Sequence, residues 1–268
     1  MSRNALRGVR RKSPPAMRRK GDADREMKYI ASCSFGKDSL AAIIVSEMNG
    51  IHINEAIYCR IMFDDKISAE LPEHEEFIYQ TAIPMLEKQF GIKTTIVQAK
   101  ETYCSRFYTK YQRGGKVGQI YGFPMRRGAW CNSHLKIRPI DRWKKTAGEY
   151  TQVVGIAADE KDRIDRKTVT GKYLPLVEYG VSEAEAFDIC RKNGLLSPAY
   201  NGGRERLGCW FCHNQRIREL QQLRKEHPDL WERLMELDAI SPCRFTQRET
   251  LHDFDNRFSL EDAQLSLF

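Results

Sequence analysis

The chain has no apolar run near the roughly 18 residues that a membrane span requires, and no secretory h-region. A cytoplasmic protein with no membrane partner is the expectation. It also lacks both of the commonest nucleotide loops, since neither G-x-x-x-x-G-K-S/T nor G-x-G-x-x-G occurs. No Cys-Cys pair is present, and eight cysteines among 268 residues do not make a disulfide scaffold. The one Cys-x-x-Cys, formed by Cys209 and Cys212, points instead to metal or redox chemistry in a reducing compartment. Acidic residues are scarce only at the start. Residues 1–28 hold ten Lys and Arg against three Asp and Glu, so the net charge of +8 belongs almost wholly to this stretch, and the remaining 34 basic and 33 acidic residues nearly cancel. With Pro14-Pro15 and few apolar residues, residues 1–27 read as a disordered basic extension. Such a segment is an arm contacting nucleic acid, a targeting segment, or sequence upstream of a start at Met27.

What is present is organised around residues 29–45. A short apolar run ends at Cys33, the turn Ser34-Phe35-Gly36 permits close backbone approach, and Lys37-Asp38-Ser39 opens a helix carrying Leu40, Ile43, Ile44 and Met48, with Asp38-Ser39 offering N-cap chemistry. The N–H groups and positive dipole end of such a helix attract anions, and Lys37 adds a mobile charge, so the loop suits phosphate or sulfate. Residues 55–63 read as a second strand, 71–90 as an amphipathic helix with Pro72 in its first turn and Gly91 beyond its end, and 93–99, 151–156 and 172–177 as three further strands. This alternation implies a parallel sheet. Asp64 follows the second strand, where an acidic residue either faces the ligand crevice of such a sheet or sits in a solvated loop.

Residues 101–128 interleave Tyr103, Phe107, Tyr108, Tyr111, Tyr121 and Phe123 with Arg and Lys, the composition of a flap over a charged planar ligand or of a surface excursion. Residues 182–193 form a helix with Ser182 and Glu185 as a capping box and Gly194 at its end. Residues 216–238 are helical, interrupted at Pro228. Cys209 and Cys212 can reach one metal ion or cluster, which needs further ligands to close. Cys33, Cys59 and Cys104 read as small buried hydrophobes, and His134 as a surface or packing residue.

Three segments carry a family resemblance. Ser34-Phe35-Gly36-Lys37-Asp38-Ser39 resembles the PP-loop, S-G-G-x-D-S, of the ATP pyrophosphatases and the phosphoadenosine phosphosulfate (PAPS) reductase family, with Phe35 in place of the first Gly. The run from Cys131 to Leu135-Lys136 resembles the family's R-x-C-T-x-x-L-K, with Asn132 for Thr and no Arg two residues before the cysteine. Gly155-Ile156, Glu160 and Arg163 match G-I-x-x-x-E-x-x-R. The order of the later segments is similar to that of uncharacterised and phage-borne PAPS-reductase-like proteins.

Over residues 28–258 the resemblance implies an adenine nucleotide alpha-hydrolase-like α/β fold of about five parallel strands between helices. It implies a nucleotide domain at 28–180, a helical metal-binding block at 181–258 and a tail at 259–268. It places Lys37 and the backbone of Ser34, Phe35 and Gly36 on the β,γ-phosphates or their sulfate equivalent, Ser39 on an anion oxygen, and Asp38 on Mg²⁺ or in capping. Asp64, Lys136, Arg138, Gly155 and Arg163 fall around the nucleotide. Cys131, Cys190, Cys209 and Cys212 form a four-cysteine site for a 4Fe-4S cluster or a zinc ion, with Cys243 and His213 in reserve.

PAPS reductases that work through a sulfonated cysteine carry a C-terminal E-C-G-L/I-H, and the cluster-bearing APS reductases a Cys-Cys beside Cys-x-x-Cys. Neither occurs here, since Cys243 stands in Ser-Pro-Cys-Arg-Phe. The resemblance therefore implies an enzyme that cleaves ATP with Mg²⁺ to AMP and pyrophosphate, activating an acceptor, nucleic acid among the candidates, for sulfur transfer or a related modification. The alternatives are a PAPS or APS reductase and a non-catalytic nucleotide-sensing or DNA-associated binding protein. The last five residues, Gln264-Leu265-Ser266-Leu267-Phe268, resemble the motif by which bacterial replication and repair proteins dock on the DNA sliding clamp.

Overall fold

The computed structural model describes residues 27–124, 129–166 and 169–265. The basic extension and the last three residues of the clamp-like tail lie outside the described residues. In chain order the elements are β1 (Tyr29–Ser32), α1 (Lys37–Met48), β2 (Glu55–Arg60), α2 (Pro72–Glu76), a π-helical segment (Phe77–Ala82), α3 (Ile83–Phe90), β3 (Lys93–Gln98) and α4 (Tyr103–Phe107). A second π-helical segment (Asn132–Ile137) then leads into α5 (Arg138–Lys144), followed by β4 (Thr151–Val154), α6 (Lys161–Ile164), α7 (Pro175–Glu178), α8 (Glu183–Lys192), α9 (Ile217–Glu226), α10 (Pro228–Ile240) and α11 (Leu251–Leu265).

The sheet order is β3-β2-β1-β4, with β1 parallel to both of its neighbours and Ile30 opposite Glu55 on one side and Gln152 on the other. Among the described residues the sheet has four strands where about five were expected. The last one shrinks to a single parallel bridge between Tyr173 and Val153. Pro175 explains this: it lacks an N–H for a ladder, and its fixed φ begins α7 instead. Because β2 and β3 are added on one side of β1 and β4 on the other, the ends of β1 and β4 form a switch point, the place where open α/β sheets bind ligands.

The chain divides into two compact units, each discontinuous in sequence. The first comprises Met1–Tyr58, Glu76–Ile96 and Lys145–Pro198, and its core joins Ala31, Phe35, Leu40, Ile43, Ile44, Tyr58, Leu86, Val153, Leu176 and Cys190. Helix α1 is buried nearly all round and packs on α7 and α8. An apolar surface on every side suits only a helix held between a sheet and other helices. Helix α8 starts with the expected capping box of Ser182 and Glu185, and Gly194 past its end is left-handed at φ 69°.

The second unit comprises Cys59–Glu75, Val97–Lys144 and Ala199–Phe268. Its core is aromatic, built on Phe63, Tyr103, Phe107, Phe123, Trp210, Phe211 and Phe258, with α10 packed on α9 and α11. This corrects the reading of residues 101–128 as a flap of ligand-stacking rings. Tyr103, Phe107 and Phe123 are buried core, and Tyr111 and Tyr121 pack on each other with centroids 4.6 Å apart. No helix among the described residues is long and apolar enough to cross a membrane.

Phe35 is the one non-glycine residue with positive φ among those described, at 57°. A β-carbon in that conformation costs about 1–2 kcal/mol, which explains why a glycine stands here in the motif it resembles. The ring offsets the cost. It is fully buried, meets Tyr58 edge-on at 5.2 Å, and burial of such a side chain contributes about 1.5–3 kcal/mol. Phe35 therefore fastens the loop to the core. Both Phe35→Gly and Phe35→Ala should destabilise the protein in urea unfolding, with alanine the worse by about 1 kcal/mol because it keeps the strain without the ring. Alanine equal to or better than glycine would contradict this.

Candidate functional site

In the first unit the loop from Ser34 to Ser39 leaves β1 at the switch point and enters α1, whose N-cap is Gly36 in extended conformation with no side-chain cap. The capping expected of Asp38 and Ser39 does not occur, because both lie inside the helix. The Ser39 hydroxyl instead closes the loop on itself, donating to the Gly36 carbonyl at 2.9 Å and accepting the Ser34 N–H at 3.3 Å. With no capping side chain, the first turn of a 12-residue helix keeps its N–H groups and dipole directed at the loop. Lys37 is buried, its ammonium 2.8 Å from Asp38 and 3.4 Å from Glu183.

Carboxylate oxygens of Asp38, Glu160 and Glu183 lie within 4.8 Å of one another. Burial raises the Asp38 pKa, Lys37 lowers it, and the charges of Glu160 and Glu183 raise it again. Three carboxylates beside one lysine, with Arg163 bound to Glu160 at 2.7 Å, leave a net negative pocket rim able to take a divalent cation. Gly155, at the end of β4, holds this arrangement together. A β-carbon on it would stand 2.3 Å from the Asp38 carbonyl oxygen and 2.7 Å from the Ser39 nitrogen. The glycine was expected to admit the nucleotide; what it admits in the structure is the backbone of α1.

The second unit brings together three of the four expected cysteine ligands. Tyr103 marks the place: its ring lies 4.3 Å from that of Phe211, between Cys209 and Cys212, and 5.0 Å from that of Trp130, next to Cys131. Burial pushes the Cys131 thiol up to about 11, and those of Cys209 and Cys212 are raised as well. Cys212 also raises Cys131, and both raise Cys209, while the charge of Lys136 lowers Cys209 and Cys212. A cavity of about 160 Å³ opens beside Cys212, lined among others by Arg204, Arg206, Asn214 and Gln215. Cys190 belongs to the first unit, where its thiol is fully buried and donates to the Lys37 carbonyl at 3.1 Å.

The remaining expected residues have defined places. Asp64 accepts the N–H groups of Lys66 and Ile67, both at 2.8 Å, and pairs with Arg233 at 2.8 Å, so it forms a turn in the second unit. Lys136 and Arg138 are exposed on the helical stretch that begins at Cys131. His134, read from the sequence as a surface or packing residue, meets Arg138 at 2.9 Å, Arg106 at 3.2 Å and Glu101 at 3.4 Å. Burial and the two arginines lower its pKa, with Glu101 opposing.

No protein-family model matches the sequence. The chain is 24% identical over 159 residues to an uncharacterised protein of Methanocaldococcus jannaschii, a match covering 55% of this chain and 30% of the relative, so it spans less than a third of that protein's length. Among solved structures it is similar to a phosphoadenylyl-sulfate reductase from Candida auris, in a phosphate complex (TM-score 0.45, 12% identity, 68% of this chain and 81% of that one). It is also similar to the U34-tRNA thiolase NcsA of Methanococcus maripaludis with its 4Fe-4S cluster (TM-score 0.42, 13% identity, 88% of this chain and 74% of that one).

Two members of the carboxylate group escaped the sequence reading. Glu160 stood inside a quoted motif without being given a role. Glu183 reaches Lys37 from 146 residues away, and no local spacing signals that meeting. Gly155→Ala should lower the melting temperature and weaken the binding of inorganic pyrophosphate, since the clash is with backbone that cannot swing aside and overpacking costs about 1–3 kcal/mol. Unchanged pyrophosphate affinity, measured by calorimetry, would show that the loop does not depend on this contact.

Proposed function

We propose that the protein is an ATP-cleaving, AMP-forming enzyme of the PP-loop type, which activates an acceptor for sulfur transfer. The observation that carries this reading is the group of Asp38, Glu160 and Glu183 around Lys37 at the anion loop. A sulfate ester needs donors and positive charge. A magnesium polyphosphate also needs carboxylates, and these are present. The missing E-C-G-L/I-H motif argues in the same direction against the reductase.

In this reading the loop N–H groups hold the β,γ-phosphates, and the Ser39 hydroxyl keeps the loop in shape through Gly36 and Ser34. Asp38, Glu160 and Glu183 would hold Mg²⁺, which would supply positive charge at the leaving pyrophosphate. Lys37, beside Asp38 and Glu183, would place its ammonium charge next to the phosphates. An acceptor oxygen attacks the α-phosphorus, the bond to the α,β-bridging oxygen breaks, and pyrophosphate leaves with the electron pair. A sulfur nucleophile then displaces AMP. Alignment and charge stabilisation provide the rate.

Cys131, Cys209 and Cys212 are proposed to hold the sulfur-handling centre. Among the described residues only Asp38, Glu160 and Glu183 place three ligand atoms within 4.8 Å, so the thiols are spaced more widely than that. One zinc ion at about 2.3 Å from each sulfur would hold them roughly 3.8 Å apart, and a 4Fe-4S cluster spaces its thiolates further. A nucleic-acid acceptor fits the helical stretch beginning at Cys131, which exposes Lys136, Arg138, Arg142 and Lys144.

Incubated with ATP, Mg²⁺ and an RNA pool, the metal-replete protein should form AMP and pyrophosphate. Lys37→Ala should lower that rate on the order of 10²-fold. Tight binding of PAPS with no cleavage of ATP would favour the reductase instead. The thiols supply a second prediction. With Cys131 near 11 and the other two raised, all three carry protons at neutral pH and must release them to bind metal. Zinc affinity, used as a probe and measured against a chelating indicator, should therefore fall on the order of 10³-fold for each unit that pH drops between 7.5 and 6.5. An affinity independent of pH would exclude a three-thiol site.

A further inference from the structure

Tyr103 is 1% exposed, and its hydroxyl has no hydrogen-bond partner among the described residues. The indole N–H of Trp130, the ring packed beside it, is likewise buried without an acceptor. Leaving such a group unpaired costs about 1–3 kcal/mol, and phenylalanine would fill the same space without that cost. Among the described residues, these buried donors thus have no acceptor. Both belong to rings that flank the thiol cluster: Trp130 precedes Cys131, and Tyr103 lies against Phe211 of the Cys-x-x-Cys knuckle. After burial, the groups that most disfavour ionisation of the Tyr103 hydroxyl are Cys131, Cys212, Cys104 and Cys209. Four sulfurs are therefore close enough for their charge to act on it.

A thiol is a poor acceptor and a thiolate a good one. We propose that Tyr103 is a positioning residue of the cysteine centre, its hydroxyl donating a hydrogen bond to a sulfur of that centre once the thiols have given up their protons to metal. The inference rests on the reading of Cys131, Cys209 and Cys212 as metal ligands. Its physical content is a conditional interaction. In the metal-free protein the hydroxyl is a liability, and in the loaded protein it becomes a charge-assisted bond that shields the centre and adjusts its electron affinity.

The test compares wild type with Tyr103→Phe, each metal-free and each reconstituted anaerobically with ferrous iron and sulfide. The metal-free variant should melt at or above the temperature of wild type, because an unpaired hydroxyl is removed. On loading, wild type should gain more in melting temperature than the variant. The loaded variant should lose iron to a chelator several-fold faster and be reduced at a more negative potential, since a donor to sulfur has gone. Equal gains with equal iron content and an unchanged potential would overturn the role of Tyr103 while leaving the centre intact. A metal-free variant less stable than wild type would also overturn it, by showing that the hydroxyl already has an internal partner. Wild type that takes up neither iron and sulfide nor zinc would overturn the centre itself, and the role of Tyr103 with it.

Discussion

Gly155 allows the end of β4 to rest directly on the backbone of Asp38 and Ser39, and the anion loop depends on that approach. The contact fixes the first turn of α1 from one side. Phe35 fixes the loop from the other, its ring locked in the core while its backbone stays left-handed. Between these two anchors Ser39 bonds to Gly36 and Ser34, so the loop is preorganised by its own hydroxyl and needs no capping side chain. A loop built this way would spend little conformational entropy on meeting an anion, which the proposed phosphoryl chemistry requires of it.

The charges around the loop are arranged in opposition. Lys37 is buried among carboxylates that hold it in place, and burial raises the Asp38 pKa against the pull of Lys37, with the neighbouring Glu160 and Glu183 adding to the rise. The proposed nucleotide and metal relieve both sides of this tension together, since a cation satisfies the carboxylates and a phosphate satisfies the lysine. Neither ligand alone does so. In the second unit buried thiols and buried donors stand beside one another. The proposed ligands would meet these arrangements in kind: a cation with a polyanion at the first site, and at the second a metal that would convert thiols to thiolates.

The features written in local chemistry were legible from the sequence. The strand, loop and helix of residues 29–48, the capping box of Ser182 and Glu185, the helix stop at Gly91 and the break at Pro228 all follow from propensities acting within a few residues. What escaped depends on tertiary partners. The rings of residues 103–123 are interleaved with charge as a ligand flap would be, and only the second unit's core shows that Tyr103, Phe107 and Phe123 are packing. Pro175 turned an expected strand into a helix start. The role of Phe35 needed the neighbouring Tyr58 to explain it, and Glu183 joined the loop from a distant helix. Cys190 reads in sequence as one more thiol of a set, but its environment is the back of α1.

Calorimetric titration of the protein with ATP and with PAPS, each with and without Mg²⁺, distinguishes a loop whose three carboxylates bind a metal-complexed polyphosphate from one that does not. ATP binding should be strengthened by Mg²⁺, this linkage should disappear in Glu160→Gln/Glu183→Gln, and PAPS should bind more weakly. PAPS binding tighter than ATP and indifferent to Mg²⁺ would contradict such a loop.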